Sequence, residues 1–557
     1  MKPLKFVGIT GVKPKTEGLW RISKTSAEGA RCGCSALNLS GKRTEQTNTM
    51  SVRFSLEPLK CFSGFYYFLR RIVMEAITNF LLPIVQNINM YMSDYILIFL
   101  LVGVGLFYSI RTRFVQIRCF GEGMKKVFGN ISLRGGKRKG GLSSFQALAT
   151  AIAAQVGTGN IVGACGAILI GGPGAIFWMW VIAFFGMATI YAEAVMAQET
   201  RIVKEDGSVL GGPVYYIKKA FSGGFGKFLA VFFAIAITLA LGFMGSMVQS
   251  NSISGAVSST SSFIAPWMVG LVLAALCAFI FLGGVQRIAS VAEKIVPIMA
   301  VAYLLIGLIV LGINITAVPA TFALIFKSAF APTAVIGGAL GAGIKAAISQ
   351  GAKRGLFSNE AGMGSTPHAH AQASVEKPHD QGVVAMIGVF IDTFVVLTIT
   401  ALVVISTLYF GNGPLAGLTD INADTAALVG INKGNLMQTA LGQIFGSTAG
   451  NLLIAVCLTF FAFTTIISWN FFGKQNVEYL FGKKAKIATV IYSVLAIGFI
   501  FLGSLFPNDL VWELADMFNN LMVIPNAIAL FFLSKFVVKA AKKKKKGCAD
   551  ACDLDNN

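Results

Sequence analysis

Residues 155–160 read QVGTGN, inside an uncharged and otherwise apolar stretch from Leu148 to Ile170. Polar side chains around two glycines in such a setting suit the binding of ions and zwitterions. Glycine costs a helix about 1 kcal/mol against alanine. Where a helix unwinds, backbone N–H and C=O groups lose their partners. In hydrocarbon those groups are tolerated only if they line a cavity or are buried in protein. The positive end of a half-helix can hold a carboxylate, and freed carbonyls can hold a cation. On this reading Gly157 and Gly159 open the backbone, and the N–H groups of Thr158 and Gly159 face an anion. Asn160 offers an amide oxygen to sodium, a hard cation that should favour oxygen ligands, or to a substrate ammonium. Gly159 and Gly163 also form a GxxxG, a common contact motif between membrane helices. Packing alone leaves Gln155, Thr158 and Asn160 unexplained, because polar groups at depth need partners. The string GTGNIVG is no dinucleotide loop, since its spacing is off by one and no βαβ unit surrounds it.

The elements that must position these residues are membrane helices. Of the 557 residues 55% are hydrophobic and only 13% charged, against about 25% charged in a soluble protein. Runs of roughly 20 apolar residues, enough to span the hydrocarbon core, occur near 91–110, 146–170, 174–198, 229–248, 264–284, 294–312, 333–348, 383–408, 443–468, 487–505 and 510–534, giving eleven candidate helices. The net charge of +21 does not indicate nucleic acid. Nine basic residues fall in 111–140, five in 199–228 and five in the Lys542–Lys546 tail, while 249–263 has no charge. This alternation is the positive-inside pattern. It places the C-terminus in the cytoplasm, and the lysine tail suits contact with anionic lipid.

The first 73 residues carry 13 Lys and Arg yet would lie outside, and they lack a signal-peptide core. They are expected to be a disordered extension or a misassigned start, with the true beginning at Met74 or Met50. Cys165, Cys277 and Cys457 read as small core residues. Neither Cys32/Cys34 nor Cys548/Cys552 has the further ligands of a structural zinc site, and His368, His370 and His379 share a loop. No cofactor is expected beyond sodium as a co-transported ligand.

Transporters often repeat a unit with inverted topology, marked by Gly- or Pro-interrupted segments at matching places. After the first helix ten spans remain. The first of them holds QVGTGN and the sixth holds IGGALGAGIKAAISQGAKRG (336–355). Five helices separate the two, as a five-plus-five inverted repeat with two broken helices requires. Asp392, about ten residues into its span, is a buried acid that could couple a cation, pair with Lys345 or cap a helix. Glu193, nearer a helix end, suits snorkelling or an ion pair. Asn359 and Glu360 suit either a cytoplasmic gate or an ordinary polar loop.

The block GGPGAIFWMWVIAFFG (171–186) resembles the signature of the alanine or glycine:cation symporter family, the sodium:alanine symporters. SSFQALATAIAAQVGTGNIVG (143–163), MATIYAEAVMAQETR (187–201), GGPVYYI (211–217), VAEKIVPIM (291–299), RGLFSNEAGMGSTPHAHA (354–371) and FAFTTIISW (461–469) resemble it in order. The resemblance covers about 74–536. It implies an all-α polytopic protein with eleven transmembrane helices, a leucine-transporter-like core and sodium-coupled uptake of small neutral amino acids. It also implies roles by position. The carbonyls of Ala153 and Val156 and the hydroxyls of Thr464 and Thr465 would hold sodium. Gln155, Thr158, Gly159 and Asn160 would bind the substrate, and Trp469 would cap a small pocket. Trp178 and Trp180 are diagnostic of the family but suit aromatic packing.

The expected organisation is a basic extension (1–73), a first transmembrane helix and cytoplasmic linker (74–142), inverted repeat 1 (143–314), inverted repeat 2 (315–536) and a basic cytoplasmic tail (537–557). The expected protein is no enzyme, since neither His nor Cys supplies a nucleophile–base pair or metal trio at depth. It is a carrier for alanine or glycine with sodium, in the inner membrane of a bacterial or archaeal cell. The same carrier with glutamine or with proton coupling is the nearer alternative. A receptor or channel on the same scaffold is the remoter one, since a channel would need a continuous polar stripe. The sequence leaves the oligomeric state open.

Overall fold

A computed structural model describes residues 75–542 apart from 130–141, 206, 282–283, 331–339, 417 and 419–420. The expectations for 1–73 and for the lysine run from 543 onward lie outside the described residues. The helices that build the site are α1 (Ala76–Arg111), α2 (Phe120–Phe128), α3 (Ser144–Gln155), α4 (Gly159–Gly171), α5 (Gly174–Thr200), α6 (Gly223–Ser258), α7 (Pro266–Phe281), α8 (Gly284–Ile313), α9 (Val318–Phe330), α10 (Leu340–Asn359), α11 (Pro367–Ala371), α12 (Pro378–Leu408), α13 (Ser447–Phe481), α14 (Ala485–Gly503) and α15 (Asn508–Phe532). One two-stranded hairpin, Ile202–Val203 with Val209–Leu210, interrupts the helices.

The bundle is apolar outward and polar inward. On α14, Ile487, Val490, Ile491, Val494 and Leu495 are exposed at helical spacing, while Thr489, Tyr492, Ala496 and Ile500 are buried. On α8, Ile298, Val301, Leu305, Leu308 and Ile309 are likewise exposed. Apolar faces of this extent are stable against lipid and not against water. Among the described residues seven helices are long and apolar enough to cross a membrane, or eight if the bent pair α3–α4 is one span. The protein is a multi-pass membrane protein.

Capping and glycine placement explain the local structure. Ser143 and Gln146 form a capping box that starts α3, at 3.1 Å in both directions. α3 stops at Gln155, Val156 takes φ −79° and ψ 87°, and α4 leaves at 46° to α3 after opening with a π-helical turn. Two expected boundaries move. The polar run after Val248, expected as an outer loop, is helical to Ser258 and packs on α13. The second break is expected within 336–355; residues 336–339 lie outside the described residues, and from Leu340 the described helix runs unbroken to Asn359. Gly351 in that stretch serves contact, since a Cβ there would lie 2.6 Å from Trp178 Cβ of α5. The chain opens just beyond, over Asn359–Thr366, with Glu360, Gly362 and Gly364 at φ +57°, +93° and +78°.

Candidate functional site

Both glycines of the first break are required by close approach. A Cβ on Gly157 would lie 2.5 Å from Thr465 Oγ1 and 3.2 Å from Gln249 Oε1. A Cβ on Gly159 would lie 2.9 Å from Ser358 Cα. Omitting these side chains lets α13, α6 and α10 converge on the opened backbone.

An oxygen cluster lies on the α13 side. Thr465 Oγ1 is 2.9 Å from the Ala153 carbonyl and 3.0 Å from the Phe461 carbonyl. A hydroxyl has a single proton, so these oxygens hold more lone pairs than donors. Val156, with ψ 87°, turns its carbonyl off the helix axis at the same break. Thr464 Oγ1 is directed to the Phe461 and Phe460 carbonyls at 2.9 and 3.0 Å and to Met299 Sδ at 3.7 Å. Thr464 and Thr465 therefore share the Phe461 carbonyl, and of the two hydroxyls it is Thr465's that contacts Ala153.

A second set of polar groups lies on the α6 side. Thr158 N–H donates to Gln249 Oε1 at 3.1 Å, and Gln155 Nε2 donates to the Asn359 carbonyl at 2.7 Å. Thr158 Oγ1, Gln155 Oε1 and Gln249 Nε2 are buried and find no hydrogen-bond partner among the described residues. Buried polar atoms of this kind mark places where a polar ligand or water completes the set. Asn160 Oδ1 accepts from Gly157 N–H at 3.1 Å and its Nδ2 donates to Asp392 Oδ1 at 2.6 Å. It ties the break to α12, and its oxygen keeps a second lone pair.

Asp392 is fully buried in a π-helical turn of α12. Its carboxylate accepts from Asn160, from Ser358 Oγ at 2.9 Å and from Thr393 Oγ1 at 2.8 Å. These neutral donors replace the pairing with Lys345 considered above; Lys345 Nζ donates to Tyr95 OH at 3.2 Å. Asp392 thus joins the first break, the end of α10 and α12.

The second opening is held by acids. Glu193 accepts from the Gly362 and Gly364 N–H groups at 3.0 and 2.9 Å and from Asn526 Nδ2 at 2.6 Å. It is completely buried and bonded to neutral donors, so neither snorkelling nor an ion pair describes it. Glu360 accepts from Trp469 Nε1 at 2.5 Å and from Ser365 Oγ. Trp469 meets Phe357 edge-on at 5.8 Å, and Phe357 lies 4.8 Å from Trp512. Arg354 stands over Trp512 at 4.7 Å and pairs with Asp516 at 2.8 Å. A cleft of about 680 Å³, lined by Val162, Asn251, Ser254, Asn435, Gln438 and Asn508 among others, opens beside α4, α6 and α15. Trp178 and Trp180 donate to the Ala329 carbonyl and to Thr398 Oγ1, and their rings meet Phe330 edge-on and Phe326 at a tilt, both of α9, a packing role.

The sequence reading missed Gln249, Ser358, the Phe461 carbonyl and the Glu193–Asn526 clamp, and it named Glu360 without its bond to Trp469. For Gln249 the signal was present: SMVQSNSIS (246–254) is a polar run continuous with an apolar helix. Position alone gave no signal for a backbone carbonyl such as that of Phe461.

Comparisons with known proteins agree with this architecture. A sequence model of the sodium:alanine symporter family matches residues 78–551. The chain is 41% identical to the sodium/alanine symporter AgcS of Methanococcus maripaludis over 460 residues, covering 82% of this chain and 96% of that protein. It is 40% identical to the putative sodium/proton-dependent alanine carrier protein YrbD of Bacillus subtilis, covering 83% and 93%. It is 38% identical to the probable sodium/glutamine symporter GlnT of the same organism, covering 80% and 87%. The structure superposes on MhsT, a leucine-transporter-fold protein crystallised with L-phenylalanine, with a TM-score of 0.51 over 73% of this chain at 13% identity, a likeness of fold alone. By sequence over most of its length, this chain belongs to the sodium:alanine symporter family.

Proposed function

We propose that the protein is a sodium-coupled symporter that imports small neutral amino acids, alanine and glycine first, by alternating access. The observation that carries this reading is the meeting of two polar sets at Gly157. The Ala153, Phe461 and Thr465 oxygens lie on one side, and Gln249 and Thr158 on the other. Sodium takes the first set, with Val156 and Thr464 as further oxygen donors, and the substrate carboxylate takes the N–H groups of Thr158 and Gly159. Gln249 Nε2 and Thr158 Oγ1 complete the carboxylate's partners, and Trp469 bounds the pocket. Occupancy of either ligand organises the backbone that the other needs, so the loaded form is the one that crosses. One positive charge moving inward gains about 2.3 kcal/mol per 100 mV of membrane potential.

The reading includes eleven crossings. Seven candidates pass by length and composition. One of them, Ser447–Gly503, has 57 residues, about 85 Å of helix against a core of about 30 Å. It turns at Gly482 and its halves α13 and α14 pack together, which makes two spans. The bent pair α3–α4, α7 and α10 bring the number to eleven. Counting from α3 gives a five-plus-five repeat in which α10, the sixth, ends in the second opening. Basic loops inside and a cytoplasmic C-terminus follow from the charge alternation.

The test is uptake of radiolabelled alanine into proteoliposomes under a sodium gradient, a proton gradient or neither. Concentrative uptake with sodium alone, lost in Asn160→Ala and Thr465→Ala, is the expected result. Uptake driven by protons overturns the ion assignment, and stronger competition by glutamine than by alanine overturns the substrate. No uptake of any amino acid overturns the carrier.

A further inference from the structure

We propose that Cys119, Glu122 and His379 form a binding site for a thiophilic divalent cation of the zinc class, remote from QVGTGN, which fastens α2 to the start of α12. One ligand atom from each residue lies within 4.8 Å of the other two. The spacing of the resolved pair is already suitable: His379 Nε2 and Glu122 Oε2 are 3.4 Å apart. Around a tetrahedral zinc with bonds of about 2.0–2.3 Å, ligand atoms stand about 3.3–3.8 Å from one another. Thiolate, imidazole and carboxylate together suit zinc over magnesium or calcium, which prefer all-oxygen shells. Three protein ligands leave the fourth position to water.

The scaffold around the trio is built to hold it. Cys119 immediately precedes α2 and Glu122 stands in its first turn, three residues on, so both face the same side. His379 follows Pro378, the first residue of α12. A Cβ on Gly123 would lie 2.7 Å from Ile387 Cγ1 and 2.8 Å from the Val383 carbonyl, so α2 lies directly against α12. Lys126 pairs with Asp380 at 3.1 Å across the same contact, and Phe120 packs edge-on to Phe390 at 4.9 Å. Tyr191 OH of α5 is 2.7 Å from His379 Nδ1. That hydrogen bond fixes the imidazole ring and leaves Nε2 toward Glu122, the orienting contact that metal-bound histidines usually have. Cys119 is buried, and the Glu122 and His379 side chains are 15% and 11% exposed, so the trio is shielded yet keeps some contact with the surface.

The test uses the full chain in detergent or nanodiscs with Cys32, Cys34, Cys61, Cys548 and Cys552 changed to serine, which removes the thiols outside the described residues. Zinc is titrated in competition with a chromophoric chelator, and cadmium is used for its thiolate charge-transfer absorption. The expected result is one ion per chain with the cadmium band present. Cys119→Ser removes the band, and Cys119→Ser and His379→Ala each weaken zinc at least tenfold. Tyr191→Phe, which keeps all three ligands, weakens zinc by roughly tenfold through loss of the orienting contact. Thermal melts of the metal-free proteins identify any variant that fails to fold, and the near-isosteric Cys119→Ser then decides alone. Absence of stoichiometric binding, or zinc affinity and cadmium absorption unchanged in Cys119→Ser, overturns the proposal.

Discussion

The two openings of the helix bundle are held by opposite means. Around QVGTGN the groups are backbone carbonyls, hydroxyls and amides, and Thr158 Oγ1, Gln155 Oε1 and Gln249 Nε2 have no partner among the described residues. Around Asn359–Thr366 two buried carboxylates take up backbone N–H groups and an indole N–H: Glu193 caps Gly362 and Gly364, and Glu360 holds Trp469. The protein's own acids take up most of the second opening, where Thr366 Oγ1 has no partner among the described residues, whereas the first leaves three such atoms, the set that the proposed substrate would complete. Asp392 lies between the two and belongs to both.

Substitutions should separate these roles. The largest effect is expected for Gly157→Ala, whose methyl would stand 2.5 Å from Thr465 Oγ1. Initial uptake should fall at least a hundredfold, while stability falls by about 1–3 kcal/mol, as for overpacking elsewhere. Uptake within tenfold of wild type would remove the first opening from the transport site. Next is Glu193→Ala, which leaves the Gly362 and Gly364 N–H groups buried without their acceptor. Each such group costs about 1–3 kcal/mol. The melting temperature should drop markedly in Glu193→Ala and less in Glu193→Gln, with the substrate concentration for half-maximal uptake unchanged in the folded fraction. A change in that concentration without a stability loss would erase the contrast between the openings.

Thr465→Val keeps the shape and deletes the hydroxyl. The sodium concentration for half-maximal uptake should rise about tenfold or more, and Thr465→Ser should restore it. The smallest effect belongs to Thr464→Val. Its hydroxyl is directed to carbonyls of its own helix and to Met299, so sodium activation should shift by less than about threefold. Equal shifts at the two threonines would show that both hydroxyls reach the ion.

The first opening was legible because polar side chains and glycines coincide in a stretch that otherwise has neither charge nor polarity. The opening over Asn359–Thr366 was not named because glycine has two uses in a membrane helix. Gly351 lets α10 approach α5, which needs only the missing side chain, whereas Gly362 and Gly364 take positive φ, which needs the missing Cβ for a different reason. Composition cannot tell the two apart; the acid beside Gly362 in SNEAGMG was the better sign. Gln249 was hidden by treating polarity as exposure, although in a bundle with an apolar exterior a polar helical run faces inward. Counting residues along α5 gave the depth of Glu193 but not the side it faces, and that side decided between snorkelling and capping. The helices themselves followed from long apolar runs because lipid permits few alternatives.

Gln155 and Asp392 lash the two openings together. Gln155 Nε2 reaches the Asn359 carbonyl at 2.7 Å, and Asp392 bonds Asn160 at 2.6 Å and Ser358 at 2.9 Å. Neither opening can rearrange without stretching these bonds or carrying the other with it. In a coupled carrier the cost of such a linkage is turnover speed and its yield is fidelity: slippage, in which an ion passes without its companion, requires the lashing to part. Loosening it at Ser358 should therefore appear first as an uncoupled sodium leak, before any loss of binding.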